Sequence, residues 1–267
     1  MKIRIRLVVA VLAGFGMFTT ITAQDTITAK PVTDTVVASQ NKWRFLVEPY
    51  LFFGGMKGQL GLDSLPVADV DADAGYILDH LKFAAMVYFE AYSNKWAITS
   101  DLMYMKLGQD ATPGVIINEG DVSVKQLTWE LAGLRRLLSF LEAGIGFRLN
   151  SFKSELDLNF NTPGGIKQDS WELTETWVDP IIVARSRFHL LNDLLFVDLR
   201  GDIGGFGIGS DFAWQVQGNI GIRISKLLQA SLGYRVISVD YENGSGKDYF
   251  LNDTELFGPM VRFGFNF

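Results

Sequence analysis

The last stretch, LFGPMVRFGFNF from Leu256 to Phe267, limits what this chain can fold into more than any other. Read with a period of two, Phe257, Pro259, Val261, Phe263, Phe265 and Phe267 share one face, while Gly258, Met260, Arg262, Gly264 and Asn266 share the other. One face is greasy to the final residue and the other is polar or small. An edge strand of a soluble β protein could show such alternation once. A strand closing a membrane-spanning β-barrel requires it, because hydrocarbon takes one face and the lumen takes the other.

The amino terminus points the same way. Lys2, Arg4 and Arg6 precede an apolar run from Leu7 to Phe18 and a polar stretch ending at Ala23, the order of a secretory signal. The alternative, a membrane anchor, fits less well because the run is shorter than the roughly 20 residues a spanning helix needs. We therefore expect an export signal over 1–23, a periplasmic lead-in over 24–42 that is rich in Thr, Ser and Asp, and a barrel over 43–267. The formal net charge is −6, so no nucleic-acid footprint is expected, and the absence of cysteine excludes disulfides and thiolate metal sites.

From Trp43 onward the period of two recurs. Strands are expected over 43–53, 83–92, 96–105, 121–138, 140–160, 171–190, 195–203, 214–225, 228–236 and 256–267. That makes about ten antiparallel strands, with eight or twelve as alternatives. Turns near 94, 138, 192 and 226 are short and connections near 70, 115, 165 and 246 are long, so the two kinds fall on opposite rims. In such barrels the short rim faces the periplasm. The corner near 207 is short although it falls on the long-loop rim. Pro49 lacks an amide donor, which predicts a bend or bulge in the first strand.

The polar phase of these strands collects Glu48, Glu90, Asp101, Glu130, Glu142, Asp179, Asp198 and Asp202, together with Arg44, Arg148, Arg185, Arg187, Arg200, Arg223, Arg235 and Arg262. Every inward cation is arginine, whose rigid fork suits a cramped interior. A structural ion-pair network that fills and occludes the lumen is the simpler reading. A selectivity lining for a narrow passive channel is the alternative.

Other chemistry finds little support. DVDAD in the first long connection (Leu62 to His80) lacks the glycine and distal glutamate of a calcium loop, so a solvated loop with a helical turn at 76–81 is expected rather than a metal site. GGFGIG lacks the Lys-Ser/Thr of a phosphate-binding loop, and no cofactor is expected. His80 follows Asp79 and could serve a barrel-embedded surface enzyme, though a loop hydrogen bond between the two explains the pair more simply. His189 lies by the opposite rim, so the two histidines cannot share a site. The six tryptophans are expected at strand ends, at headgroup level, with sugar stacking by Trp171 as a lesser possibility.

The stretches LVEPYLFF (Leu46 to Phe53), ITSDLMYMKLG (Ile98 to Gly108), DLRGDIGGFGIGSDFAWQ (Asp198 to Gln215), LGYRVISVDYENG (Leu232 to Gly244) and FGPMVRFGFNF resemble a recurring group of small outer-membrane β-barrel proteins of Gram-negative bacteria. The likeness covers nearly all of the chain after the signal, and its most specific pieces are GGFGIGSD and GYR…DYE. It implies export, insertion by the outer-membrane assembly machinery with Phe263, Phe265 and Phe267 in the recognition strand, and contact with outer-membrane lipid and lipopolysaccharide. It implies no catalytic or ligand residues. A monomeric protein with a structural or surface-interaction role is the expectation that results.

Overall fold

The computed structural model describes residues 42–62, 66–110, 117–162 and 165–267. The expected export signal and all of the lead-in except Lys42 lie outside the described residues. Twelve strands follow in order: β1 (Arg44–Phe52), β2 (Gly55–Leu62), β3 (Ala68–Ala72), β4 (Leu81–Tyr92), β5 (Trp96–Asp110), β6 (Ile117–Arg136), β7 (Leu141–Thr162), β8 (Gly165–Leu190), β9 (Leu195–Gly205), β10 (Phe212–Arg223), β11 (Leu228–Asn243) and β12 (Phe250–Asn266). A short α-helix, α1 (Ala74–Asp79), lies between β3 and β4, and a single 3-10 turn, Gly246–Asp248, precedes β12.

Ten of these strands form a closed antiparallel barrel in the order β1-β4-β5-β6-β7-β8-β9-β10-β11-β12, and β12 pairs back onto β1. Closure places Leu46 opposite Asn266 and Leu51 opposite Val261. At the seam Phe45 and Phe267 exchange backbone hydrogen bonds of 3.1 and 2.8 Å. The terminal aromatic face that opened the sequence argument therefore sits outside the ring, with Phe263, Phe265 and Phe267 all exposed.

The first long connection differs from expectation, since it carries two further strands. β2 continues β1 past a break at Phe53 and Gly54 and pairs with β12 from Gly55↔Phe257 to Leu62↔Phe250, and β3 pairs back along β2. Glycine hides this hairpin in the sequence. Gly55, Gly58 and Gly61 blur the alternation, and Gly58 has a φ of +136° with no room for a Cβ beside the Asp253 carbonyl. The acids of DVDAD have local roles: Asp69 accepts from Gln59 (2.9 Å), and Asp73 caps α1 by accepting from the Tyr76 amide (2.7 Å).

Pro49 ends a pairing. The β1–β4 register stops at Pro49↔Val87, although β4 runs on to Leu81. Without an amide proton, proline cannot continue the ladder.

The corner near 207 is short for a visible reason. Gly205, Phe206 and Gly207 take φ values of +85°, +54° and +73°, and Gly209 lies so close to the Val178 carbonyl and the Asp179 carboxylate that a side chain would not fit. Ser210 then donates to Asp179 from its amide (2.6 Å) and its hydroxyl (3.0 Å), while the Trp177 indole donates to the Ser210 hydroxyl (2.9 Å). The corner is pinned to the inside of β8.

Candidate functional site

The interior of the ring is the natural place to look for function, and it is built in two layers. Nearer the short-turn rim, arginines cross the lumen. Arg185 on β8 reaches Glu90 on β4 with bonds of 2.7 and 2.8 Å, donates to Glu142 on β7 at 2.9 Å through Nε, and touches the Tyr88 hydroxyl at 3.0 Å. Arg235 on β11 reaches Asp101 on β5 at 3.0 Å and Tyr50 on β1 at 3.2 Å, and also binds Gln215 at 2.6 and 2.8 Å. In the ring order, β8 and β4 lie nearly opposite one another, as do β11 and β5. Two guanidinium groups thus brace the barrel across its width.

The remaining predicted charges fill the gaps. Arg148, fully buried, pairs with Glu130 at 3.0 Å and Asp202 at 2.5 Å, and Arg200 pairs with Glu130. Arg262 meets Glu48 at 3.3 Å, and Arg187 meets Asp198 at 2.7 Å. Charges removed from water in this way must be paired, since an isolated one would cost several kcal/mol, of order 3–5. The spaces left are small: a cavity among Glu48, Arg185, Arg200, Asn219 and Arg262 measures about 20 Å³, and another beside Asn150 and Trp177 is of the same size. Each is the size of one water molecule.

Three of the predicted residues stand apart from these pairs. Asp179 is fully buried and meets no cation among the described residues; it accepts from Asn150 (3.0 Å) and from Ser210. Arg44 and Arg223 lie at the short-turn mouth, lining an open cavity of about 350 Å³ with Tyr92, Lys226 and Asn266. Arg44 rests 4.7 Å from the centre of the Tyr92 ring, and among the described residues neither arginine meets an acid. The sequence placed both on the polar phase, but parity cannot tell a mid-lumen position from a rim.

Above this layer the interior turns apolar, which the expectation of a lumen charged throughout did not include. Trp177 stacks on Tyr241 with ring centres 4.1 Å apart and planes 6° from parallel, and Phe250 lies 5.9 Å from both. Phe152, Met103, Met105, Ile237, Val239 and Leu256 complete a buried cluster. Among the described side chains, Trp177 departs from the expected outer girdle.

The outer wall changes in the opposite sense at the same height. On β5, Leu102 and Tyr104 face out and Asp101 faces in, whereas higher up Lys106 faces out and Met103 and Met105 face in. On β7 outward Leu149 gives way to Lys153, and inward Arg148 gives way to Phe152. On β11 outward Tyr234 and Val236 give way to Asp240, and inward Arg235 gives way to Ile237 and Val239. An apolar outside with a polar inside fits hydrocarbon around the wall; the reverse fits water around it. The reversal falls at one level on β5, β7 and β11. A break in parity was the available sequence signal: Leu149 and Phe152 are apolar neighbours of opposite phase with Ser151 between them.

The histidines occupy the rims. His80 donates through Nδ1 to the Tyr76 carbonyl at 2.7 Å and packs on the Tyr76 ring at 4.2 Å, so its hydrogen-bond partner is that carbonyl rather than Asp79. His189 lies 3.6 Å from Asp193 in the turn after β8.

No protein-family model and no curated protein matches the chain. Solved structures do. Ail, the attachment invasion locus protein of Yersinia pestis, shares 10% identity at a TM-score of 0.33, covering 85% of this chain and 100% of that one. The outer membrane protease OmpT from Escherichia coli shares 8% identity at a TM-score of 0.40, over 85% and 97%. The toluene transporter TbuX of Ralstonia pickettii shares 6% at 0.36, over 85% and 89%. Likenesses this distant assign no activity.

Proposed function

We propose that this chain is an integral outer-membrane β-barrel of a Gram-negative bacterium, closed to solute flow, whose work is structural or interactive at the cell surface. The observation that carries this reading is the pair of arginines spanning the lumen, Arg185 from β8 to β4 and Arg235 from β11 to β5, with a space of about 20 Å³ beside Arg185. A ring of ten strands has little free lumen once side chains of this size enter it. The long strands support the surface role. β7 and β8 contain 22 and 26 residues, well beyond the roughly 9–11 that a tilted strand needs to cross hydrocarbon. The excess forms a wall with a dry interior that carries α1 and the long connections away from the membrane.

Under this reading the short-turn rim faces the periplasm, the protein is exported through a Sec-type signal and works as a monomer, and it needs no cofactor. Phe263, Phe265 and Phe267, exposed beside the closing seam, present the aromatic strand that the assembly machinery would take up. His80 acts in the loop, as its tie to the carbonyl of Tyr76 suggests, and not in a reaction.

Planar-bilayer recording of the purified barrel tests the proposal. No stable openings are expected from the wild type. Stable openings whose size or selectivity shifts when Arg185 is replaced by alanine would establish the narrow-channel alternative instead.

A further inference from the structure

The reversal plane carries an ordered row of charge on one wall. In direct cross-strand register, Lys106 on β5 lies opposite Lys125 on β6, and Lys125 lies opposite Lys153 on β7. The row immediately below reads Tyr104, Leu127 and Ser151, and the one beneath that Leu102, Trp129 and Leu149. Three ammonium groups therefore sit side by side one step above the apolar band, at the height where lipid headgroups begin. A fourth is close by, since the Lys82 stem lies across Gly108 on the same outer face.

Like charges set directly opposite one another repel, so such a row calls for counter-charge. The protein supplies part of it. Glu155 binds Lys125 at 2.8 Å and Lys153 at 3.0 Å, and Glu172 binds Lys153 at 2.7 Å. Hydrogen bonds from Lys125, and then from Lys153 and Ser123, hold the Glu155 carboxyl down at about 2, so it remains charged. Among the described residues, Lys82 and Lys106 meet no acid, which leaves four ammonium groups against two carboxylates. The opposite wall is different at this height: there Asp240 lies opposite Asp253, and the one lysine, Lys57, is taken up by Glu255 at 3.0 Å. A chain with a net charge of −6 has concentrated positive charge on one side of its headgroup belt.

We propose that Lys106, Lys125 and Lys153, with Lys82 beside them, form a docking surface for the phosphate groups of an outer-leaflet glycolipid. The position commits the site to a lipid. Tyr104 lies one row below the lysines and Phe83 lies in register with Lys106, their rings 5.9 Å apart, so an apolar surface for the upper acyl chains of a bound lipid adjoins the amines placed for its headgroup. The inference rests on the outer-membrane reading given above. That reading can fail by itself, because a barrel that refolds and stays monodisperse without detergent would refute it whatever the lysines bind.

The test is native mass spectrometry of the folded protein in detergent, titrated with diphosphorylated lipid A and with the same lipid after phosphate removal. The phosphorylated lipid is expected to be retained. Its affinity should fall about fivefold for each of Lys106, Lys125 and Lys153 changed to glutamine, and it should survive Lys→Arg at the same positions. Lys57→Gln on the opposite wall should leave it unchanged. Equal retention of the dephosphorylated lipid, or undiminished binding by a folded triple glutamine variant, would overturn the proposal. Full displacement by inorganic phosphate at concentrations equal to the lipid would also overturn it, by reducing the site to a free-anion site.

Discussion

The two halves of the barrel interior solve one packing problem in opposite ways. Between the short-turn rim and the reversal plane, the described residues include seven buried or half-buried arginines that meet acids, Arg136 on Glu142 among them; above it, the same strands enclose Trp177, Tyr241, Phe250, Phe152 and the methionines. The same ten strands enclose both halves, so the fold does not explain the difference. What changes is the solvent outside. Where hydrocarbon surrounds the wall, apolar residues belong on the outside, and the alternation of a β-strand then forces polar groups inward, where they must find one another. Where water surrounds the wall, the hydrophobic effect draws the apolar phase inward as in any soluble protein.

The comparison can be broken most decisively in the charged half. Arg185→Met removes the short ion pairs of Glu90, leaving it Arg187 at 3.7 Å, and leaves Glu142 with Arg136 at 2.8 Å; it is expected to cost about 3 kcal/mol in urea unfolding from detergent micelles. Adding Glu90→Gln and Glu142→Gln to that variant should restore most of the loss; if the triple variant is as unstable as the single one, pairing is not what stabilises this layer. In the apolar half the expected cost comes from a cavity instead. Phe250→Ala, at a fully buried position, should lose about 3 kcal/mol by the same measurement, and no change of charge elsewhere should rescue it.

The smallest effect sharpens the picture outside the wall. Burial, followed by Asp253, Asp211 and Glu242, pushes the Asp240 carboxyl above its usual range. A raised acid is a penalty when ionised, so the penalty applies at neutral pH and vanishes as pH falls below the ordinary carboxylate value of roughly 3.9. Asp240→Asn should therefore stabilise the barrel by less than about 1 kcal/mol at pH 7 and by nothing near pH 3, read as the shift in unfolding midpoint. A gain that persists in acid would mean that the acidic wall is not a charged surface facing water.

Much of this was legible in the residues. The phases of β4, β5 and β9 to β12 follow from simple alternation, and so do the inward positions of Glu48, Asp101, Arg148 and Arg235. The β2–β3 hairpin was not legible, because Gly55, Gly58 and Gly61 remove the side chains that would have shown its period. The apolar upper lumen went unread for another reason. Alternation assigns each strand one continuous apolar phase, whereas on β7 the apolar phase switches between Leu149 and Phe152, across Asn150 and Ser151.

By itself the sequence determined which side of each strand avoids water, because parity is a property of neighbours along one chain. The ring decided everything that depends on height and on distance across it: that Arg185 meets Glu90 while Arg44 and Arg223 line the mouth beside Tyr92 and Asn266, and that three lysines far apart in the chain share one row. Those relations are set by register and closure, which bring residues together from strands that the chain keeps far apart.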